Sequence, residues 1–125
     1  MKVAFQGESG AYSEQALFNY FGDVETRPCE SFDVVFDSVV SAECEYGLIP
    51  IENSLAGSIH QNYDMLLRHD LHIVGEYLLR VQHCLIAMPG VKKEEIKKLI
   101  SHPQALGQCA AYLRGLGIKP ESVYD

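Results

Sequence analysis

The sequence predicts an α/β protein built on a parallel sheet, and three observations lead there. Short apolar strand patterns alternate with amphipathic helical patterns through the first half of the chain, the signature of crossover connections. The 125 residues are enough for one domain or lobe with a real core. The apolar and charged fractions, 47% and 22%, are those of a folded globular protein and leave no case for disorder.

Val3 to Gln6 reads as the first strand, and Gly7-Glu8-Ser9-Gly10 as a turn. Ser13 and Glu14 then open a helix that carries Ala16, Leu17, Tyr20 and Phe21 on one side, with Gly22 just past its end. Val24 to Cys29 is a second strand, edged by Pro28. Ser31 caps a helix whose Phe32, Val35, Phe36 and Val39 face the core, and Asp33 sits early, where the helix dipole favours it. Gly47 to Ile49 is the third strand, and pairing fades at Pro50. A third helix is expected from Ser58 to His69, with Ile59, Tyr63, Leu66 and Leu67 as its apolar positions.

The pattern then changes. Leu71 to Met88 is too long and mixed for one strand and reads as two extended segments in series. Val91 to Leu99 reads as a short helix with a solvated charged face, Leu99 to Ser101 as a brief strand. Pro103 begins a helix whose buried stripe is Ala105, Leu106, Cys109, Ala110 and Leu113; Gly115 and Gly117 stop it. Ile118 to Asp125 turns toward a further strand. The expected organisation is a first α/β lobe over residues 1–80 and the start of a second over 81–125. The latter would leave apolar edges open, as in part of a longer protein or a half completed by a partner.

Charge and cysteine usage exclude several functions. Up to Asn62 the bases are Lys2 and Arg27, against ten acids, so nucleic acid is not an expected partner. An anionic ligand would have to be held there by backbone N–H groups and hydroxyls. Cys29, Cys44, Cys84 and Cys109 show no CxxC pair, and reduced thiols are expected; no zinc ligand set is visible, and no metal site is expected. No apolar run approaches a membrane span, and Met1 leads straight into a strand pattern. The cytoplasm is therefore the expected compartment.

Two stretches carry the chemistry. In Tyr46–Ile59, YGLIPIENSLAGSI, the residues Glu52, Asn53, Ser54, Gly57 and Ser58 follow the carboxyl end of a strand, where open α/β sheets place their ligands. A helix starting near Ser58 would aim unpaired N–H groups at this loop, an anion site; the plain alternative is that Ser58 only caps the helix. In the first βα turn, GESGAY lacks the GxGxxG spacing of a dinucleotide fingerprint. A small-anion turn or a simple tight connection is expected instead.

Together with SHPQALGQC (Ser101–Cys109), the blocks GESGAYSEQA (Gly7–Ala16) and YGLIPIENSLAGSI closely resemble the catalytic domain of prephenate dehydratase, in that order and over the whole chain. Val123-Tyr124-Asp125 resembles the approach to that family's next motif. The resemblance implies a two-lobed fold of the type II periplasmic-binding-protein kind, incomplete in the second lobe. It implies conversion of prephenate to phenylpyruvate with loss of water and carbon dioxide, in phenylalanine biosynthesis, without a cofactor. The family's later Thr-Arg-Phe motif, whose threonine is the catalytic hydroxyl, and its phenylalanine-sensing ACT domain do not occur in these residues. The small-molecule substrate is the expected partner, in a homo-oligomer such as a dimer.

Prephenate is a dianion with a hydroxyl on a dienyl ring, so the site must hold two carboxylates and assist the departing oxygen. On this resemblance Asn53, Ser54, Gly57 and Ser58 cradle one carboxylate. Ser9, Tyr12 and Ser13 bind from the neighbouring loop, and Gln104 reaches in from the second lobe with His102 shaping its turn. Glu52 orients Asn53, or assists proton transfer if burial raises its pKa. Each has a plain alternative: Ser13 as a cap, His102-Pro103 as a helix start, Gln104 solvated. Two rival functions remain, arogenate dehydratase, whose substrate differs by one amino group, and a small-carboxylate-binding module without chemistry.

Overall fold

The strand β1, Lys2–Gln6, is buried on both faces, and this places it in the middle of its sheet. Val3, Ala4 and Phe5 are wholly inaccessible. In the computed structural model, which describes residues 1–123, the chain divides into two units, Met1–Val81 and Gln82–Asp125. In the first, β2 (Glu25–Cys29) and β3 (Tyr46–Leu48) flank β1 on either side, both parallel to it. Between them in sequence lie α1 (Tyr12–Phe21) and α2 (Phe32–Val40).

Side chains alternate across a strand, so β1 feeds two cores. Ala4 packs with Cys29, Val35 and Cys44 on the α2 side; Val3 and Phe5 pack with Leu17 on the α1 side. Each wholly buried large side chain contributes about 1.5–3 kcal/mol. The chain steps from β1 to β2 in one direction, then back past β1 to β3. Right-handed crossovers in opposite directions put their helices on opposite faces, as observed. Pro28 is tolerated because β2 is an edge.

The helix ends follow local chemistry. Gly22 ends α1 at φ 79°, and the Ser31 hydroxyl accepts the Val34 N–H at 3.4 Å at the start of α2. Ala11, not Ser13, is the α1 N-cap, and Ser13 lies inside the first turn. Gly47 lets α2 rest directly on β3: a Cβ there would stand 3.0 Å from Val35 Cγ1 and 3.1 Å from Val39 Cγ2. Burial pushes the Cys44 thiol up, and the Lys2 N–H, bonded at 2.6 Å, holds the Glu45 carboxyl below its usual range. Cys29 is in register with Gln6, whereas Cys44 precedes Glu45, whose N–H bonds the Lys2 carbonyl at the other end of β1. Both thiols are free and lie in the same buried cluster.

After β3 the chain forms a small antiparallel hairpin, β4 (Glu52–Asn53) and β5 (Gly57–Ser58), before α3 (His60–Arg68). The third helix therefore starts two residues later than the sequence pattern places it, because Ser58 is taken up in pairing with Glu52. Its buried residues are Asn62 and Met65, while Tyr63 and Leu67 are 42% and 87% exposed. The buried stripe is rotated from the expected one because a hydrogen-bonded asparagine, not a hydrocarbon, faces inward. Phe36 stacks on His69 at 5.2 Å and ties the end of α3 to α2.

From Leu71 to Met88 the structure shows no strand or helix. The two extended segments expected there have no pairing partner among the described residues, and a strand without a neighbour leaves its N–H and C=O groups unpaired. Tyr20 of α1 meets Tyr77 edge-on at 6.4 Å.

In the second unit, β6 (Lys98–Ser101) and β7 (Lys119–Ser122) pair in parallel, joined by α4 (Pro103–Gln108) and α5 (Ala110–Leu116). The helix expected over Val91–Leu99 is only a 3₁₀ turn at Lys93–Glu95. Its carboxyl-terminal part is used by β6, and a lone half-buried Ile96 gives no stripe to hold a helix. The single helix expected after Pro103 is interrupted at Cys109 (φ −97°, ψ 5°), though its ladder continues from the Cys109 N–H to Ala105 and the Leu113 N–H to Cys109. Leu113 is buried, and the rest of that stripe is half-buried. The strand pattern expected to reach Tyr124 and Asp125 falls at those two positions outside the described residues. No helix among the described residues is long and apolar enough to cross a membrane.

Ser38 on α2 is buried to 2% exposure, where its hydroxyl donates to the Val34 carbonyl and meets the Arg27 guanidinium. Arg27 Nε also pairs with Glu43 at 3.1 Å. Replacing Ser38 with alanine strands the inner side of this network and is expected to cost about 1–3 kcal/mol in urea unfolding. A change under about 0.5 kcal/mol, the size of an ordinary surface effect, would show that Arg27 finds other partners.

Candidate ligand-binding site

Strand order β2-β1-β3 reverses direction between β1 and β3, so the crevice outside their carboxyl ends is the topological switch point of the sheet. Two connections leave from that end. One is the Gly7–Ala11 loop into α1; the other runs from Ile49 through the β4–β5 hairpin into α3. Ser9, Tyr12, Ser13, Glu52, Asn53, Ser54, Gly57 and Ser58 are thereby gathered on the two loops that follow adjacent strands.

The hairpin is built from its own polar groups. Asn53 Oδ1 accepts the N–H groups of Leu55 at 3.0 Å and Ala56 at 3.1 Å, folding the tip over Ser54, and Gly57 at φ 84° returns the chain. Asn53 is thus half-buried and its carbonyl oxygen is engaged in the loop, rather than being held out to a ligand. The Ser54 and Ser58 hydroxyls and the Leu55 side chain are exposed. Glu52 pairs through its backbone with Ser58, and its side chain is exposed.

The root of the hairpin depends on a residue that hydrophobic periodicity misses. Asn62 is wholly buried, and its Nδ2 donates to the Pro50 carbonyl at 2.7 Å. Its Oδ1 is buried with no hydrogen-bond partner among the described residues. The available signal was spacing: Asn62, Met65, Leu66 and His69 also recur at helical intervals, but a polar residue at their head reads as solvent-facing.

The first loop is also closed on itself. Glu14, the third residue of α1, accepts the Gly10 N–H at 2.7 Å, the Ser9 hydroxyl at 3.4 Å and the Thr26 hydroxyl at 3.2 Å. Gly7 donates to the Cys29 carbonyl at 2.9 Å. The small-anion turn expected here therefore already holds a carboxylate of the protein. Tyr12 and Ser13, half-buried, are the first residues of the helix beyond it. A shallow open depression of about 360 Å³ lies beside this loop, lined by Gly7, Glu8, Pro28, Cys29, Glu30 and Val34. Its two acidic side chains do not suit an anion.

His102 and Gln104 belong to the second unit. His102 is the N-cap of α4, its Nδ1 accepting the Gln104 N–H at 3.2 Å, and Gln104 is exposed. His83 Nε2 lies 2.7 Å from Gln108 Oε1 in the same unit. Among the described residues no group of three or more His, Cys, Asp or Glu side chains is placed to hold a metal ion.

Replacing Asn62 with leucine keeps the branched side-chain shape and leaves the Pro50 carbonyl unpaired. We expect a loss of about 1–3 kcal/mol in urea unfolding. Unchanged stability would mean that Asn62 does not anchor the hairpin.

Comparison with known proteins identifies the family. A family model described as prephenate dehydratase matches residues 3–125. The chain is 53% identical over 125 residues to arogenate dehydratase/prephenate dehydratase 1, chloroplastic, of Arabidopsis thaliana, and 52% identical to arogenate dehydratase 2 of Petunia hybrida. In both cases all of the chain is covered but only 32% of the relative, so it spans about a third of their length. Among solved structures, prephenate dehydratase of Arthrobacter aurescens in complex with L-Phe superposes with a TM-score of 0.88 at 27% identity. That match covers 100% of this chain and 42% of that one. A structure described as GqqA, a novel type of quorum quenching acylase, gives 0.86 at 34% identity, covering 100% and 46%.

The expected α/β fold of the periplasmic-binding-protein type is thereby shown. The expected cytoplasmic location is corrected, because several of these relatives are chloroplastic. A strand pattern at Met1 says nothing about targeting in a chain that covers a third of such proteins. With the family model matched from residue 3 to residue 125, the chain belongs to the prephenate dehydratase family.

Proposed function

We propose that this chain forms the first α/β lobe, residues 1–80, and the beginning of the second, residues 81–125, of a plastid dehydratase. The enzyme takes prephenate or arogenate to phenylpyruvate or phenylalanine, with loss of water and carbon dioxide. The observation that carries the reading is the family match over residues 3–125, joined by the 53% identity to a relative named for both substrates.

In this reading the two loops at the switch point form one wall of the substrate site. The substrate is an anion, and Lys2 and Arg27 are both in ion pairs, with Glu25 and Glu43. Binding therefore falls to the hairpin's hydroxyls and N–H groups, around Ser54, Gly57 and Ser58. Tyr12 and Ser13 contribute from the start of α1. Asn53 shapes the hairpin tip, and Glu52 pairs with Ser58 at the hairpin's base. The departing hydroxyl needs a hydrogen-bond donor, and carbon dioxide loss restores the aromatic ring, so the reaction requires orientation and one proton donor rather than a cofactor. The Thr-Arg-Phe hydroxyl of the family is not among these residues.

The test is turnover by the full-length protein that carries this chain, given prephenate and arogenate in turn. Formation of phenylpyruvate or phenylalanine is expected, and Asn53→Ala should lower kcat/KM by about tenfold or more by loosening the hairpin. Tight binding of either acid without product would leave the small-carboxylate-binding module in its place.

The dimer expected from the resemblance belongs to this proposal. Ile73, Val74 and Leu78 are 73%, 68% and 92% exposed, an apolar run that association would cover. Light scattering on the full-length protein should return twice the chain mass; a monomer mass would end this part of the reading.

A further inference from the structure

We propose that Glu14 is a positioning residue for this reaction, and that its carboxylate, rather than the substrate's, fills the anion position at the start of α1. The inference rests on the dehydratase reading above. A glutamate at the third position of a helix ordinarily turns back to the N-cap N–H and does no more. Here the Ala11 N–H is bonded instead to the Glu8 carbonyl at 3.1 Å, and no side chain caps the helix. Glu14 reaches further out, to the Gly10 N–H and the Ser9 hydroxyl, and sideways to the Thr26 hydroxyl on β2. A helix cap alone does not account for the last two.

One carboxylate thus joins the loop, the helix and the neighbouring strand. The loop needs that restraint, because Gly7 and Gly10 sit at φ 123° and 91°, where the backbone is otherwise free. With Gly7 tied to Cys29 and Gly10 tied to Glu14, Tyr12 and Ser13 stand at a set place over the end of β1. A negative charge 2.7 Å from the Gly10 N–H also repels a second anion from the same turn. The substrate's carboxylate is thereby directed away from Ser9 and toward the β4–β5 hairpin.

Steady-state kinetics on the full-length protein separate the possibilities. Wild-type turnover is measured first; its absence with both substrates removes the dehydratase reading and this inference with it. Given turnover, Glu14→Ala should lower kcat/KM about tenfold, mainly through KM, and added formate should restore part of the loss. Glu14→Gln, which keeps one accepting oxygen, should lose less. Thr26→Val, which removes only the β2 anchor, should fall between wild type and Glu14→Ala. Kinetics of Glu14→Ala within twofold of wild type would overturn the proposal while leaving the dehydratase reading intact. So would a lower KM, the mark of an anion site set free, or a loss that formate does not touch. If Glu14→Ala does not fold, Thr26→Val decides: unchanged kinetics overturn the proposal and a raised KM supports it.

Discussion

Burial of Val3, Ala4 and Phe5 on both faces of one strand is the constraint on which the first unit depends. A strand with two apolar faces needs a cover on each, and a parallel neighbour on each edge. Two short crossovers meet both demands only if they run in opposite directions. That places β2 and β3 on either side of β1, α1 and α2 on opposite faces, and the carboxyl ends of all three strands together. The crevice is therefore a by-product of covering the hydrophobic strand. Its position follows from packing before any ligand is considered.

What lies around that crevice is largely satisfied from within. Asn53 closes the hairpin tip, Asn62 holds its root, and Glu14 draws the first loop onto β2. Each uses a side chain to bond backbone or hydroxyl groups that would otherwise be free to rearrange. On the proposed reading, in which an acidic lobe receives an anion, this arrangement has a use. The few groups left facing outward, chiefly serine hydroxyls and hairpin amides, are held in place by the protein, so a ligand loses little freedom of the site on binding.

Membership of the family and the identity to chloroplastic dehydratases bear on the whole enzyme only in part, since the chain spans about a third of those relatives. The compartment shows the difficulty. A strand pattern beginning at Met1 invites a cytoplasmic reading, yet relatives at about half identity act in chloroplasts. Compartment is a property of segments that need not touch the fold, whereas fold class is written into every turn of it.

Alternation of strand and helix, the caps at Ser31 and Gly22, the Pro28 edge and the core residues of α2 were legible in the residues, because each depends on neighbours a few positions away. The same local logic failed at α3, where Asn62 is buried through a bond to Pro50, twelve residues back. It failed again at Val91–Leu99, where strand pairing with β7 claims residues that helix spacing would have used. Local order thus came from periodicity and capping. Only the tertiary structure decided that Asn62 turns inward to Pro50 and that Glu14 reaches across to Thr26 on β2. Hydrogen bonds between distant segments set those choices, and the spacing of residues along a chain carries no record of them.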